Sequence, residues 1–114
     1  RPKKLTTYFQ WHLKWGAREA FLREMAEDTG VVPQALKDKP DVGEYVGGVL
    51  HEFGFLSQSR QAYEGGPQAI QIAEVLAYLE IAKIHDVENR LLFLNNVKTL
   101  DVMYLNHYAE QQKK

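Results

Sequence analysis

The residues best placed to do chemistry are two glycines and a proline, Gly65, Gly66 and Pro67, which follow Arg60 and precede an apolar helical pattern. A glycine-rich loop cradles phosphate when it joins a strand to a helix and supplies a lysine with serine or threonine. Here neither side chain follows the glycines, no apolar strand precedes them, and the Gly-x-Gly-x-x-Gly spacing of a dinucleotide loop is absent. Glycine freedom followed by a fixed proline φ instead predicts a bend between two helices.

Other residues with chemical potential lack the neighbours that their chemistry needs. His51 begins the sequence HEFGF, but a zinc-binding helix requires a second histidine four residues later, where Phe55 stands. Neither Ser57 nor Ser59 lies in the Gly-x-Ser-x-Gly turn of a serine nucleophile. The carboxylate pairs fall on polar helix faces, which solvation explains. We therefore expect no catalytic residue, no metal site and no cofactor.

The composition bounds the class of protein. The 114 residues are 45% hydrophobic and 25% charged, which is typical of one folded domain with a single core. A net charge of −1 gives no general attraction to nucleic acid or to anionic membranes. There are no cysteines, which excludes disulfides and thiol chemistry, and no apolar run is long enough to span a bilayer.

Apolar residues recur at helical spacing through most of the chain. The pattern predicts a mainly α-helical, single-domain bundle of about four to five short helices over residues 1–114. Gly30 is expected to end one helix, and Asp86 to cap the last one. The clearest helical stripe lies in that last helix and consists of Phe93, Val97, Leu100, Tyr104 and Tyr108.

The N-terminal segment gives a different pattern. In FQWHLKW, residues 9–15, apolar and polar side chains alternate, as in a half-buried strand. A lone strand cannot satisfy its own backbone, so tertiary contacts that make the segment helical are the other interpretation. The sequence leaves open a lone N-terminal strand, with residues 1–16 as an extended arm. Pairing of such an edge would make a homo-oligomer.

A resemblance to a known family rests on residues 53–107. The shared elements are Leu-Ser-x-Ser-Arg at residues 56–60, the Gly-Gly-Pro turn, and Ile-x-x-Val-Leu-x-Tyr-Leu at residues 72–79. They continue with Ile-His-Asp-x-Glu-x-Arg at residues 84–90 and Leu-Asp-x-x-Tyr-Leu-x-His at residues 100–107. With these elements the segment resembles the C-terminal part of the tail assembly chaperones of long-tailed bacteriophages.

The resemblance implies a non-enzymatic helper in the host bacterial cytoplasm. Such a protein would bind the tape measure protein, and by extension tail tube subunits, during tail morphogenesis. The chain is rich in aromatic residues, which are enriched at protein interfaces, so we expect a groove that holds apolar helical stretches of the partner. The candidates for partner binding are Trp11, Trp15, Tyr45, Phe53, Arg60, Tyr104 and Tyr108.

Two other functions remain open. One is a small helical DNA-binding phage protein, such as a terminase small subunit or a regulator. The helix expected after Asp41 argues against nucleic acid, because it carries Glu44 and Glu52 and neither lysine nor arginine. The other is a structural head–tail connector, a subunit that remains in the finished virion.

Overall fold

The chain is mainly α-helical, as predicted. The structure, a computed structural model, describes residues 2–60, 62–63 and 66–113. Within these residues the α-helices are α1 (Pro2–Trp15), α2 (Glu19–Thr29), α3 (Gln34–Lys37), α4 (Gly43–Ser57), α5 (Ile72–Ile81) and α6 (Val87–Gln112). A 3₁₀ turn, Gly16–Arg18, joins α1 to α2, and two short strands, β1 (Ala62–Tyr63) and β2 (Gly66–Pro67), lie between α4 and α5.

The chain divides into two compact units, Arg1–Gly43 and Glu44–Lys114, which we call unit 1 and unit 2. Unit 1 contains α1, α2 and α3, and unit 2 contains most of α4 together with the strands, α5 and α6. A single domain over residues 1–114 stays a prediction.

The interpretation of residues 9–15 as a strand, or of residues 1–16 as an extended arm, is wrong. Helix α1 covers this segment. Its buried residues include Leu5, Tyr8 and Phe9, at spacings of three and one that place them on one helical face. A helix satisfies its backbone hydrogen bonds internally, which a lone strand cannot do. The alternation from Phe9 onwards misled because it omits Leu5 and Tyr8, which carry the helical period.

Polar contacts of Trp11 and Glu19 connect the helices of unit 1 to residues 35–39. The indole N–H of Trp11 donates a hydrogen bond of 2.9 Å to the carbonyl oxygen of Ala35, and the Lys39 ammonium lies 5.4 Å from the centre of the Trp11 ring. The Glu19 carboxylate accepts hydrogen bonds from Lys39 at 2.6 Å and from Arg23 at 2.7 Å. These two bonds, that from Lys39 above all, hold the pKa of Glu19 below its ordinary value.

Helix α2 ends where the sequence predicts, and two of its large apolar residues, Phe21 and Met25, are not the buried ones. Gly30 adopts the left-handed conformation, with φ at 75°, and its N–H donates to the carbonyl of Ala26. Glycine suits this position because it has no Cβ to clash. Leu22 is buried, whereas Phe21 is 60% exposed and Met25 is 39% exposed. The stripe of Phe21 and Met25 therefore faces solvent in part, and local periodicity did not identify the packed side.

The core of unit 2 combines residues of α4, α5 and α6, among them the first three residues of the predicted α6 stripe, Phe93, Val97 and Leu100. Helix α6 begins at the predicted cap, because the Asp86 carboxylate accepts a hydrogen bond of 3.0 Å from the N–H of Asn89. No helix among the described residues is long and apolar enough to span a membrane. The buried apolar residues of unit 2 are Val46, Val49, Phe53, Leu56, Val75, Leu79, Phe93, Val97 and Leu100.

The connection between α4 and α5 is a small antiparallel pairing rather than a plain bend between helices. Ala62 pairs with Pro67 and Tyr63 with Gly66. Of the residues expected to form the bend, Gly65 lies outside those described, and Gly66 has φ at 108°. That positive φ is the backbone freedom expected of a glycine here.

Candidate protein-binding surface

A buried ion pair fixes the β1–β2 segment to α6. Arg60 Nη1 lies 2.6 Å from Asp101 Oδ1, and the two side chains are 4% and 8% exposed. Arg60 also donates hydrogen bonds of 2.9 Å to the carbonyl of Gln68 and to Ser57 Oγ. Asp101 Oδ2 accepts one of 2.9 Å from the N–H of Ile70. We call this pair with its partners the clasp.

The charges of the clasp compensate each other. Asp101 Oδ1 is close to the Arg60 guanidinium but accepts no well-aligned hydrogen bond from the described residues, so the contact there is mainly Coulombic. The guanidinium also lies over the Tyr104 ring, 4.4 Å from its centre, and 5.9 Å from the centre of Phe53. Arg60 is thus engaged on several sides, and it acts as a structural cation in the folded chain.

Tyr108, near the end of α6, packs against Gly66 of β2. A Cβ added to Gly66 would lie 2.7 Å from Tyr108 Cε2, so the tyrosine ring packs directly on the glycine backbone. The structure therefore brings together three predicted partner-binding residues, Phe53, Arg60 and Tyr104, at the clasp, while Tyr108 lies against Gly66. Phe53 is buried, and the two tyrosines are partly covered.

The other three candidates lie apart from the clasp. Trp11 is buried within unit 1, where its N–H is already satisfied by Ala35. Trp15 is half-buried, beside the charged side chains of Lys14 and Arg18. Tyr45 of unit 2 is 50% exposed, and its hydroxyl accepts a hydrogen bond of 2.8 Å from the Asn96 amide. Of these three, Trp15 and Tyr45 retain surface that a partner could contact.

Helix α5 exposes large aliphatic side chains that the list of candidates missed. Eight of its ten residues are apolar, all but Glu74 and Glu80, yet only Val75 and Leu79 are buried. Ile72 is 61% exposed, Leu76 48% and Ile81 82%. An amphipathic surface helix normally turns one apolar stripe inward and polar residues outward. Helix α5 keeps apolar residues on its outward side as well.

Two grooves flank this helix. The α5–α6 groove has a volume of about 250 Å³. The α4–α5 groove is larger, about 470 Å³. The α5–α6 groove is lined mainly by aliphatic residues, among them Ile72, Val75, Leu94, Val97, Val102 and Leu105. The α4–α5 groove is lined by Phe55, Leu56, Glu74, Ala77, Tyr78 and Ile81, with two polar residues at the end of α4.

The polar groups near the grooves are fixed by neighbours. The Tyr78 hydroxyl donates to Glu52 at 3.3 Å, and burial together with the Glu52 charge raises the pKa of Tyr78. Tyr78 therefore remains a neutral donor at physiological pH. The Glu80 carboxylate lies 2.6 Å from Arg90, whose hydrogen bond and charge hold the pKa of Glu80 below its ordinary value. Neither group is poised to transfer a proton near neutral pH.

Among the described residues, no three histidine, aspartate or glutamate side chains are grouped so that they could hold a metal ion. Comparison of the chain with protein-family models, curated proteins and solved structures found no match. A functional proposal therefore has to come from the geometry of α5 and its grooves, together with the sequence elements described above.

The apolar composition of residues 72–81 is the sequence feature that could have drawn attention to α5. Ile72–Ile81 is apolar except at Glu74 and Glu80, and a helix with so few polar residues is either enclosed by its own fold or covered by another molecule. The sequence could not distinguish these cases, because the number of elements packed around a helix depends on tertiary structure.

Proposed function

We propose that this protein is a non-enzymatic binding protein whose α5 surface takes apolar helical segments of a partner protein. We define the α5 surface as Ile72, Leu76 and Ile81 with the two flanking grooves. The observation that carries the proposal is the exposure of these three large aliphatic side chains on one short helix. Ile72 lines the α5–α6 groove and Ile81 the α4–α5 groove, and exposed apolar residues beside a groove are typical of interaction sites in folded proteins.

The shape of the surface favours a helical partner. An amphipathic helix presents apolar side chains at intervals of three and four residues, and a groove beside an exposed helix accepts them. Both grooves run along α5 and offer mostly apolar walls. A partner helix would exclude water from these walls without needing a specific polar contact at each position.

We propose the tape measure protein of a long-tailed bacteriophage as the partner, and tail assembly chaperone in the host cytoplasm as the role. The support for this identity is the sequence resemblance, whose Ile-x-x-Val-Leu-x-Tyr-Leu element is the start of α5. Tail tube subunits are a second partner in the same role. A chaperone of this kind would cover apolar stretches of the tape measure protein until tube subunits replace it.

The test is co-expression with the tape measure protein from the same genome, followed by affinity purification after nuclease treatment. The wild-type protein is expected to co-purify in stoichiometric amount or above. The Ile72→Ser/Leu76→Ser double variant is expected to lose most of this binding, because it replaces two apolar contacts with hydroxyls.

Val31→Ser/Val32→Ser is a matched control. These valines are 67% and 45% exposed, close to the 61% and 48% of Ile72 and Leu76, but they belong to unit 1. The control variant should co-purify like the wild type. Absence of co-purification of the folded wild-type protein would refute the proposed partner, and equal loss in both double variants would refute the proposed surface.

A further inference from the structure

The α4–α5 groove differs from the α5–α6 groove in its charge. Its only charged lining residue is Glu74, which is exposed and has no ion-pair partner among the described residues. The α5–α6 groove is lined by Lys98 and by Asp101, whose charge Arg60 already compensates. The two sides of α5 therefore present surfaces of similar apolarity and different electrostatics.

The residues before and within α5 also carry a net negative charge. Residues 43–82 contain five glutamates and one arginine. That arginine, Arg60, is buried and paired with Asp101, so its charge is not available at the groove. The next cation along the chain, Lys83, follows the end of α5 and does not line the groove.

The end of α4 adds to the same effect. The residues that line the groove from α4, including Phe55 and Leu56, belong to its last turn, where the helix dipole is negative. Ser59, which follows the end of α4, and Glu74 line both this groove and a small neighbouring cavity, whose lining also includes Arg60, the partner of Asp101. A carboxylate and a helix C-terminus at one place both favour a positive group.

We infer that the α4–α5 groove binds a basic amphipathic helix, with apolar residues of that helix against Phe55 and Ile81 and a lysine or arginine beside Glu74. The inference rests on the proposed function for the identity of the partner, and it adds the chemistry by which the partner is selected. Phe55 is 58% exposed and Ile81 82% exposed, so both can be covered by a partner. A basic residue three or four positions from an apolar anchor lies on the same helix face and reaches the groove end.

The experiment uses the full chain and two synthetic helical peptides with one leucine pattern. One peptide carries lysines beside the leucine stripe, and the other carries glutamates at the same positions. Binding is measured by fluorescence anisotropy at low and at high salt. At low salt the lysine peptide is expected to bind about three- to tenfold more tightly, and the difference should shrink near 0.5 M salt, where the Debye length is only about 4 Å.

Three variants localise the binding. Glu74→Gln should weaken binding of the lysine peptide about two- to fivefold and leave the glutamate peptide unchanged or slightly tighter. Ile81→Ser should weaken both peptides about tenfold, because an apolar contact is lost whatever the charge. Glu27→Gln, which removes an exposed carboxylate from α2 of unit 1, should leave both affinities unchanged. Circular dichroism checks that each variant retains its helical content.

Several results would overturn the inference. Equal affinity for the two peptides, or equal effects of Glu74→Gln and Glu27→Gln, would show that Glu74 selects no charge. A dimeric protein that Ile81→Ser makes monomeric, with peptide binding unchanged, would assign the groove to a second copy of the chain. If the tape measure protein co-purifies but neither peptide binds, the inference fails and the proposed function stands. If the lysine peptide binds as expected but the tape measure protein does not co-purify, the proposed partner is refuted and the charge preference of the groove stands.

Discussion

Unit 2 buries a pair of charges and exposes an apolar helix, the reverse of the ordinary distribution in a folded protein. The clasp places Arg60 and Asp101 side chains at 4% and 8% exposure. On α5, Ile72 and Ile81 are 61% and 82% exposed. The clasp compensates its charges with internal partners, whereas no described residue encloses the outward side of α5. The polar region holds segments of the fold together, and the apolar region is the one that we propose for binding.

The largest effect is expected from breaking the clasp. Asp101→Ala leaves the Arg60 charge buried without its partner and the N–H of Ile70 without its acceptor. The free energy of unfolding should fall by about 3–5 kcal/mol, measured by urea denaturation. Replacing both charges together, as in Arg60→Met/Asp101→Leu, should cost less than Asp101→Ala. A loss below about 1 kcal/mol in Asp101→Ala would contradict a structural role for the pair.

Two leucines of α5 allow the same residue type to be compared at a buried and at an exposed position. Leu79 is 4% exposed and Leu76 is 48% exposed. Leu79→Ala should lower the free energy of unfolding by about 2–5 kcal/mol through loss of packing. Leu76→Ala should change it by no more than about 0.5 kcal/mol while weakening partner binding. Similar losses of stability from both variants would show that the outward side of α5 belongs to the core.

A smaller effect is expected where β2 meets α6. Gly66→Ala places a Cβ 2.7 Å from the Tyr108 ring on a backbone with φ at 108°, so we expect a loss of about 1–3 kcal/mol in thermal or urea denaturation. Gly48→Ala is the control, because no heavy atom lies within 4 Å of the added Cβ and the site is inside α4. That change should stabilise the protein by up to about 1 kcal/mol. A neutral Gly66→Ala would argue against the contact with Tyr108.

The smallest effect is expected in the titration of Glu80, the residue of α5 whose carboxylate contacts Arg90. Because Arg90 lowers the pKa of Glu80, the Glu80 carboxyl should titrate below its ordinary value of 4.5, as followed by NMR. In Arg90→Gln the titration should move back towards that value. No movement would mean that Glu80 and Arg90 do not interact in solution.

The sequence predicted those features that depend on local interactions. The caps at Gly30 and Asp86 need only neighbouring backbone groups, and the stripe of α6 that begins at Phe93 and Val97 repeats often enough to define its buried side. Helix α1 was ambiguous because its last seven residues alternate in polarity while the helical period depends on Leu5 and Tyr8.

The candidate site was less predictable, because it depends on contacts between distant segments. Nothing in the spacing of Arg60 and Asp101 indicates that they meet, so the sequence leaves Arg60 as a structural or a partner-facing cation and does not name its counter-ion. Phe53 and Trp11 were chosen for their aromatic character, which is as typical of cores as of interfaces. The sequence did not identify the α5 surface, because a mostly apolar helix does not indicate which of its sides is enclosed.

Hydrogen exchange of the protein with and without the tape measure protein tests the central claim most directly. Because α5 exposes most of its residues, its amides should exchange readily in the free protein and become protected in the complex. We expect the added protection to centre on residues 72–81 and the adjoining end of α4. Protection confined to unit 1, around Trp15, with α5 unchanged would contradict the account and place binding on the N-terminal helices.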